Sequence, residues 1–226
     1  MTQAVQQDGT LRPVDRVSQR QVDKFAERRA QLAESALLTL SELGYARTSL
    51  REIAQNSDFS HGVLHYYFRD KVDLITYCVR EYKARCVTRY DQIVTTAATA
   101  DQLVIGFAEV LTQTMVQDAH LHRLWYDLRG QSMFEESLRE AVTLIDKTLE
   151  EMIWRVVSRY SELAGRPPAM TPAAAYGVLD GLFQQALLGH VAGDAAALPT
   201  LVEQVHALMP LTLSPRPVDN SVAVVR

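Results

Sequence analysis

Ser49-Leu50-Arg51-Glu52-Ile53-Ala54 and, after Gln55-Asn56-Ser57-Asp58, Phe59-Ser60-His61-Gly62-Val63-Leu64-His65-Tyr66-Tyr67-Phe68-Arg69-Asp70-Lys71 form the stretch on which the reading of this chain turns. The first run has capping-box spacing: Ser49 can accept from a first-turn N–H while Glu52 reaches back. It predicts a short helix ending near Asn56. Ser60 caps a second helix that stops near Tyr67. On a helix His61, Gly62, His65 and Tyr66 fall within an arc of about 140°. Leu64 lies outside that arc and turns to a core, as do Phe59 just before the helix and Phe68 just after it. Two short helices joined by a tight turn, the second exposing polar and aromatic groups, describe a helix-turn-helix.

Gly62 is the least expected residue of the second helix, because glycine there costs about 1 kcal/mol relative to alanine. Glycine can permit close helix packing, yet this one shares the polar face with His61 and His65. Close approach of a phosphate backbone or a base edge accounts for it better. Tyr66 and Tyr67 suit phosphate hydrogen bonds. Lys71 adds a cation at a helix N-terminus, a place already favourable to an anion.

Outward from this centre the apolar period is helical throughout, which predicts an all-α fold of about nine helices with three short ones at the front. Residues 1–20 are polar and read as a flexible arm. A helix is expected from about Lys24 to Leu43, with Phe25, Leu32, Ala36, Leu40 and Leu43 on one stripe and Gly44 as its stop. Asp70 can cap a helix running to about Thr96. Further helices are expected near 101–118, 120–130, 133–163, 173–191 and 195–209, with a clear loop at Gly165-Arg166-Pro167-Pro168. The organisation is an arm over 1–20, a helix-turn-helix head over 21–70, a helical body over 71–209 and a proline-containing tail over 210–226.

Bulk properties exclude several classes. With 226 residues, 47% hydrophobic and 22% charged, the chain has the composition of a globular protein with a sizeable core. No signal-like N-terminus and no long apolar run appear, so neither export nor a membrane span is expected. Cys78 and Cys86, in one helical segment, would stand about 12 Å apart along its axis, too far for a disulfide; they read as reduced thiols of a cytoplasmic protein. Residues 1–90 hold 14 Lys/Arg against 11 Asp/Glu, a balance of +3, whereas residues 91–226 hold 9 against 16, a balance of −7. A basic head on an acidic body fits a protein that presents one end to a polyanion, although chance scatter would produce the same asymmetry.

The stretch from about Lys24 to Leu74, and above all the Ser-x-Gly…Tyr-x-Phe-x-x-Lys spacing from Ser60 to Lys71, resembles the DNA-binding signature of the tetracycline-repressor (TetR) family. The resemblance implies an all-helical homodimer with a DNA-binding head and a larger ligand-binding body. By position, Ser49 and Arg51 would open the supporting helix against DNA. Ser60, His61, Gly62, Val63 and His65 would approach bases or phosphates, and Tyr66, Tyr67 and Lys71 would hold the backbone. Four places depart from the family pattern: His61 stands where lysine is frequent, Val63 where a small polar residue is, Phe59 where a small aliphatic is, and Ser57-Asp58 replaces Ala-Gly. Val63 can offer a methyl contact to thymine instead of a hydrogen bond.

The body is rich in residues suited to a cavity wall. Aromatic and methionine side chains at helical spacing are more often plain core. The mixture in Leu124-Trp125-Tyr126-Asp127-Leu128-Arg129, however, suits an amphipathic or apolar ligand fixed by few polar contacts. The candidate ligand residues are Phe107, Met115, Trp125, Tyr126, Arg129, Phe134, Trp154 and Phe183. The helix near 173–191 mixes small and apolar residues over most of its surface. With the resemblance, this makes Tyr176, Gly177, Gly181, Leu182, Gln185 and Leu188 candidates for a dimer interface; an internal core helix is the alternative.

Asp118, His120 and His122 do not make a metal site, since His-x-His points to different helix faces and no third ligand is apparent. No phosphate-binding glycine loop and no nucleophile–base–acid set can be assigned, so neither a cofactor nor catalysis is expected. The expectation is a DNA-binding regulator, most readily a repressor. It would bind a roughly palindromic double-stranded operator as a dimer and be released by a small, largely apolar or amphipathic effector. A ligand-binding dimer whose head contacts protein, and an all-α enzyme with a site built from distant residues, remain the alternatives.

Overall fold

The structure is a computed structural model and describes residues 13–215. It is helical, with no strand among the described residues. Helix α1 (Pro13–Leu43) starts on a proline, whose missing N–H costs nothing in a first turn. It begins well before Lys24, so residues 13–20, expected as part of an arm, are helical; residues 1–12 of that arm lie outside the described residues. Leu32, Ala33, Ala36, Leu37 and Leu40 form its buried stripe. The helix ends at Gly44, whose φ of +77° a side chain would strain and whose N–H donates to Leu40 O at 2.8 Å.

Helices α2 (Leu50–Gln55) and α3 (His61–Tyr67) follow as the sequence implies, each opened by a serine cap. The Ser49–Glu52 capping box is present in both directions, at 3.3 and 2.7 Å. Asp70 caps helix α4 (Lys71–Thr88). The single helix expected as far as Thr96 divides here: α5 (Asp91–Thr96) is a separate element. Tyr90, at the break, turns inward against Phe107, ring centres 5.6 Å apart. Ile93 of α5 seats so close to Gly106 that a Cβ there would lie 3.1 Å from it.

Conversely, the helices expected near 101–118 and 120–130 are one element, α6 (Ala100–Gln131), interrupted at Asp118 (φ −122°, ψ 24°). Arg89 holds the Asp118 carboxylate at 2.6 Å. A 3-10 turn (Glu136–Leu138) leads into α7 (Arg139–Ala164), which ends at Gly165. Helices α8 (Pro172–Val191) and α9 (Ala197–Leu208) complete the body.

The expected tail is not loose at its start. Thr212 and Leu213 are buried, Ala169 N–H donates to Thr212 O at 2.8 Å and Ser214 N–H to Pro167 O at 2.9 Å. This segment closes the base of the body against the proline loop; residues 216–226 lie outside the described residues.

One core runs through the molecule. In the head it gathers Leu32, Leu40, Ile53, Leu64 and Phe68; in the body, Leu103, Phe107, Met115, Trp125, Leu149 and Val157. Helix α6 joins the two, because it packs against α1 on one side and against α7, α8 and α9 on the others.

Candidate functional site

In the head, burial of Leu64 and Phe68 turns the opposite face of α3 outward. Ser49, Arg51, Ser60, His61, Gly62, His65 and Tyr66 are exposed, whereas Val63, Tyr67 and Lys71 are half-buried. The His61 and His65 rings meet edge to face, centres 4.4 Å apart. At Gly62 an added Cβ would approach only Ser60 Oγ, at 4.0 Å. Among the described residues nothing packs against this glycine, so packing does not account for its place on the helix.

The aromatic residues after the histidines have partners. Phe25 of α1 stacks on Tyr67, centres 4.7 Å apart, and touches Tyr66 at 6.1 Å. Arg28 lies over the Phe59 ring at 4.7 Å, which explains how the head uses a large residue before α3. Arg29 ties the head to α4, pairing with Asp73 at 2.8 Å and lying over Phe68 and Tyr77.

Lys71 is not free on the outer face. Its ammonium sits over the Tyr45 ring at 4.0 Å, and burial lowers its pKa. A phosphate contact would require it to swing away from Tyr45. Tyr45 is itself the joint between head and body: its N–H donates to Asp127 Oδ2 at 2.7 Å and its hydroxyl to Glu135 Oε2 at 2.5 Å. Both acceptors belong to α6 and the loop that follows it.

In the body, α4, α6, α7 and α8 enclose a cavity, of which about 60 Å³ is open to the centre of a water molecule. Trp125, Tyr126 and Phe183 line it, with apolar walls from Leu111, Leu149 and Met152 among others. The other expected ligand residues lie elsewhere. Phe107 and Met115 are fully buried core behind the wall, Trp154 is half-buried outside the lining, and Phe134 is 85% exposed beyond the end of α6. Arg129 stands beside the cavity but is occupied, pairing with Asp180 and with Asp146 at 3.3 Å.

Tyr176, expected at a dimer interface, is buried and lines the same cavity. Its hydroxyl donates to Asp146 Oδ1 at 2.5 Å, and Tyr126 donates to Asp180 Oδ1 at 2.9 Å. Burial first, and then the Asp180 carboxylate, push both phenols far above their usual pKa, so both remain donors.

The remaining interface candidates sit differently. Leu182 packs half-buried on the core, whereas Gly177, Gln185 and Leu188 are exposed. Gly177 and Gly181 have nothing within 4 Å of an added Cβ. With Val178 and Val191 they form an open, largely apolar face of α8.

Sequence reasoning missed Lys83, His122, Tyr176 and Asp180 as cavity residues, and Asp146 as the partner of Tyr176. A signal existed for Lys83 and Asp180, since each interrupts an apolar stripe. Lys83 falls among Ile75, Val79, Tyr82 and Cys86, and Asp180 among Tyr176, Leu179, Phe183 and Leu187. His122, read only as a failed metal ligand, is buried beside Tyr82 and Phe183. Burial and the neighbouring Lys83 drive its pKa down to about 2, which keeps it neutral.

Comparison with known proteins bears on both sites. The sequence model of bacterial regulatory proteins of the tetR family matches residues 32–78. The chain is 27% identical over 199 residues to the HTH-type transcriptional regulator BetI of Burkholderia thailandensis, covering 84% of this chain and 95% of that protein. Among solved structures it resembles the transcriptional regulator FadR from Bacillus subtilis in complex with stearoyl-CoA (TM-score 0.63, 19% identity, 79% of this chain and 96% of that one). It also resembles a transcriptional regulator from Saccharomonospora viridis in complex with choline (TM-score 0.67, 16% identity, 84% and 100%). At these identities the two structures show a shared fold.

Proposed function

We propose that the chain is a transcriptional regulator of the TetR family, whose model matches residues 32–78, and that it acts as a dimeric, ligand-responsive repressor. Its paired α3 helices would enter successive major grooves of a roughly palindromic operator. The observation that carries this reading is the outer face of α3. Ser60, His61, Gly62 and His65 stand exposed there, and no internal packing explains the bare backbone at Gly62. Two such helices about 34 Å apart match one turn of DNA.

The second copy is assigned to the open face of α8 and to α9. Gly177, Gly181, Gln185 and Leu188 leave room for close helix approach, and Leu188 is 64% exposed in the single chain. Two helices from each protomer would then make a four-helix contact about a two-fold axis.

The effector is assigned to the body cavity. Relatives of the same fold carry stearoyl-CoA and choline, which supports a ligand role for the body without identifying this chain's own ligand. Consecutive residues of α6 face both ways: Trp125 and Tyr126 line the cavity, and Asp127 accepts from Tyr45 of the head. A ligand that favours one position of α6 therefore biases the head, and operator DNA biases ligand affinity by the same factor.

Binding of the purified protein to its own flanking intergenic DNA, titrated with salt and nonspecific competitor, tests the reading. A specific complex with a steep salt slope is expected. Failure to select any specific fragment, even from a whole-genome library, would overturn it.

A further inference from the structure

The body cavity holds a buried cation that makes no ion pair among the described residues. Lys83 is 4% exposed, and its ammonium lies over the rings of Trp125 and Tyr82 at 5.4 and 5.5 Å. Among the described residues no carboxylate comes within ion-pair distance of it. Asp180, in the cavity wall, and Asp146 share Arg129 and accept from Tyr126 and Tyr176 instead. Beside Lys83, the buried Trp125 Nε1 has no hydrogen-bond partner among the described residues, whereas the His122 ring has the Thr114 backbone beside it. The Tyr82 hydroxyl is 3.4 Å from His122 Nε2, so what the cavity presents to a ligand is the indole donor of Trp125 and the positive charge of Lys83.

Buried donors without acceptors are costly, and a buried charge without a counter-charge more so. A ligand with two acceptor oxygens and a negative charge answers both deficits at once. A quaternary ammonium would face Lys83 across a few ångströms in a water-poor site, and its attraction to the aromatic walls would be opposed by that like charge. The other walls, from Leu111, Leu149, Met152 and Ile153, offer contact only to an apolar body.

We propose that the effector is a small monocarboxylate with an apolar body, its carboxylate paired with Lys83 Nζ and accepting from Trp125 Nε1. This rests on the assignment of the body cavity as the effector site. Burial lowers Lys83 to about 8. The groups facing it are Tyr82 and Cys86 on its own helix, Asp118 and His122 on α6, Asp146 on α7 and Asp180 on α8. A bound anion joins the acids in favouring the charged form, so carboxylate affinity weakens as pH rises through about 8.

The test uses the full-length protein free of DNA and follows tryptophan fluorescence, with Trp154→Phe as the background in which Trp125 is the sole emitter. The probes are benzoate, phenylacetate, hexanoate and octanoate, each beside its primary amide, with choline chloride and sodium chloride as controls. At neutral pH at least one carboxylate should bind about tenfold or more tighter than its amide. Lys83→Met should bring the two within about threefold of each other and remove the pH dependence. Thermal unfolding of the variant checks that the fold is intact.

Equal binding of acids and amides, preferential binding of choline, an unchanged preference in Lys83→Met, or no saturable response to any probe would each overturn the proposal. The outcomes separate from those of the regulator reading. A choline response that releases operator DNA keeps that reading and removes this one. A carboxylate response with no effect on the DNA complex leaves an anion site at Lys83 but overturns its role as the effector site.

Discussion

At Gly62 a methyl group would meet nothing closer than Ser60 Oγ, 4.0 Å away, so stability and function should move in opposite directions. Gly62→Ala removes conformational freedom from the unfolded chain and should raise stability by roughly 0.5 kcal/mol. It should also weaken operator binding, and a bulkier Gly62→Leu should abolish it. Thermal unfolding beside a DNA titration reads both signs, and unchanged operator affinity in Gly62→Leu would remove the close-approach argument. Lys83 is the second residue where fold and function diverge. Its folded pKa of about 8 lies below the ordinary 10.5, so between these values the unfolded chain binds the extra proton. Wild-type stability should therefore rise with pH across that window, with the full cost of burial present below about 8. Lys83→Met should be the more stable protein at neutral pH, by on the order of 2 kcal/mol, with the difference closing towards pH 10.5. Denaturant unfolding of the pair at several pH values measures it.

On the proposed function helix α6 would join ligand chemistry to DNA geometry, and bonds at Tyr45 tie it to the head. The Tyr45 N–H is bound by Asp127 and its hydroxyl by Glu135, while Gly44 beside it leaves just enough room: a Cβ there would lie 3.1 Å from Asp127 Oδ2. Tyr45→Phe removes one bond and should cost about 1 kcal/mol of stability. Its larger effect should be on coupling. The fold-weakening of operator binding by ligand should shrink by about threefold or more, with affinity in the absence of ligand nearly unchanged. Operator titrations with and without a bound carboxylate give the ratio, and full coupling in the variant would show that the joint lies elsewhere. The divided α4–α5 and the continuous α6 also show where periodicity stops being informative. Inward rotation of Tyr90 onto Phe107 ends one helix, and a single non-helical residue at Asp118 does not end the other.

At the scale of the whole molecule, the proposed function assigns the pairing of two heads on one operator to the open face of α8. Leu188→Glu places a charge on that face without touching the core. It should weaken self-association by about a hundredfold and reduce operator binding with it, leaving helical content unchanged. Sedimentation and circular dichroism give the two readouts. A dimer of undiminished strength would move the interface away from α8.

The all-helical class, the capped helix-turn-helix and its exposed residues were legible in the chain, because caps, glycine stops and helical periodicity act over a few residues. The family was legible for the same reason: the spacing from Ser60 to Lys71 is local. The cavity was only partly legible. Trp125, Tyr126 and Phe183 were found by their type, but the same types at Phe107, Met115, Phe134 and Trp154 went to the core or the surface. Lys83, His122, Asp146, Tyr176 and Asp180 come from four helices, and what they do depends on which side chains the packing of those helices brings together. Whether a buried lysine has a counter-charge is a property of that packing, which no local pattern records. The head is written in local pattern; in the body, which groups are spent on each other and which stay unpaired follows from how four helices pack.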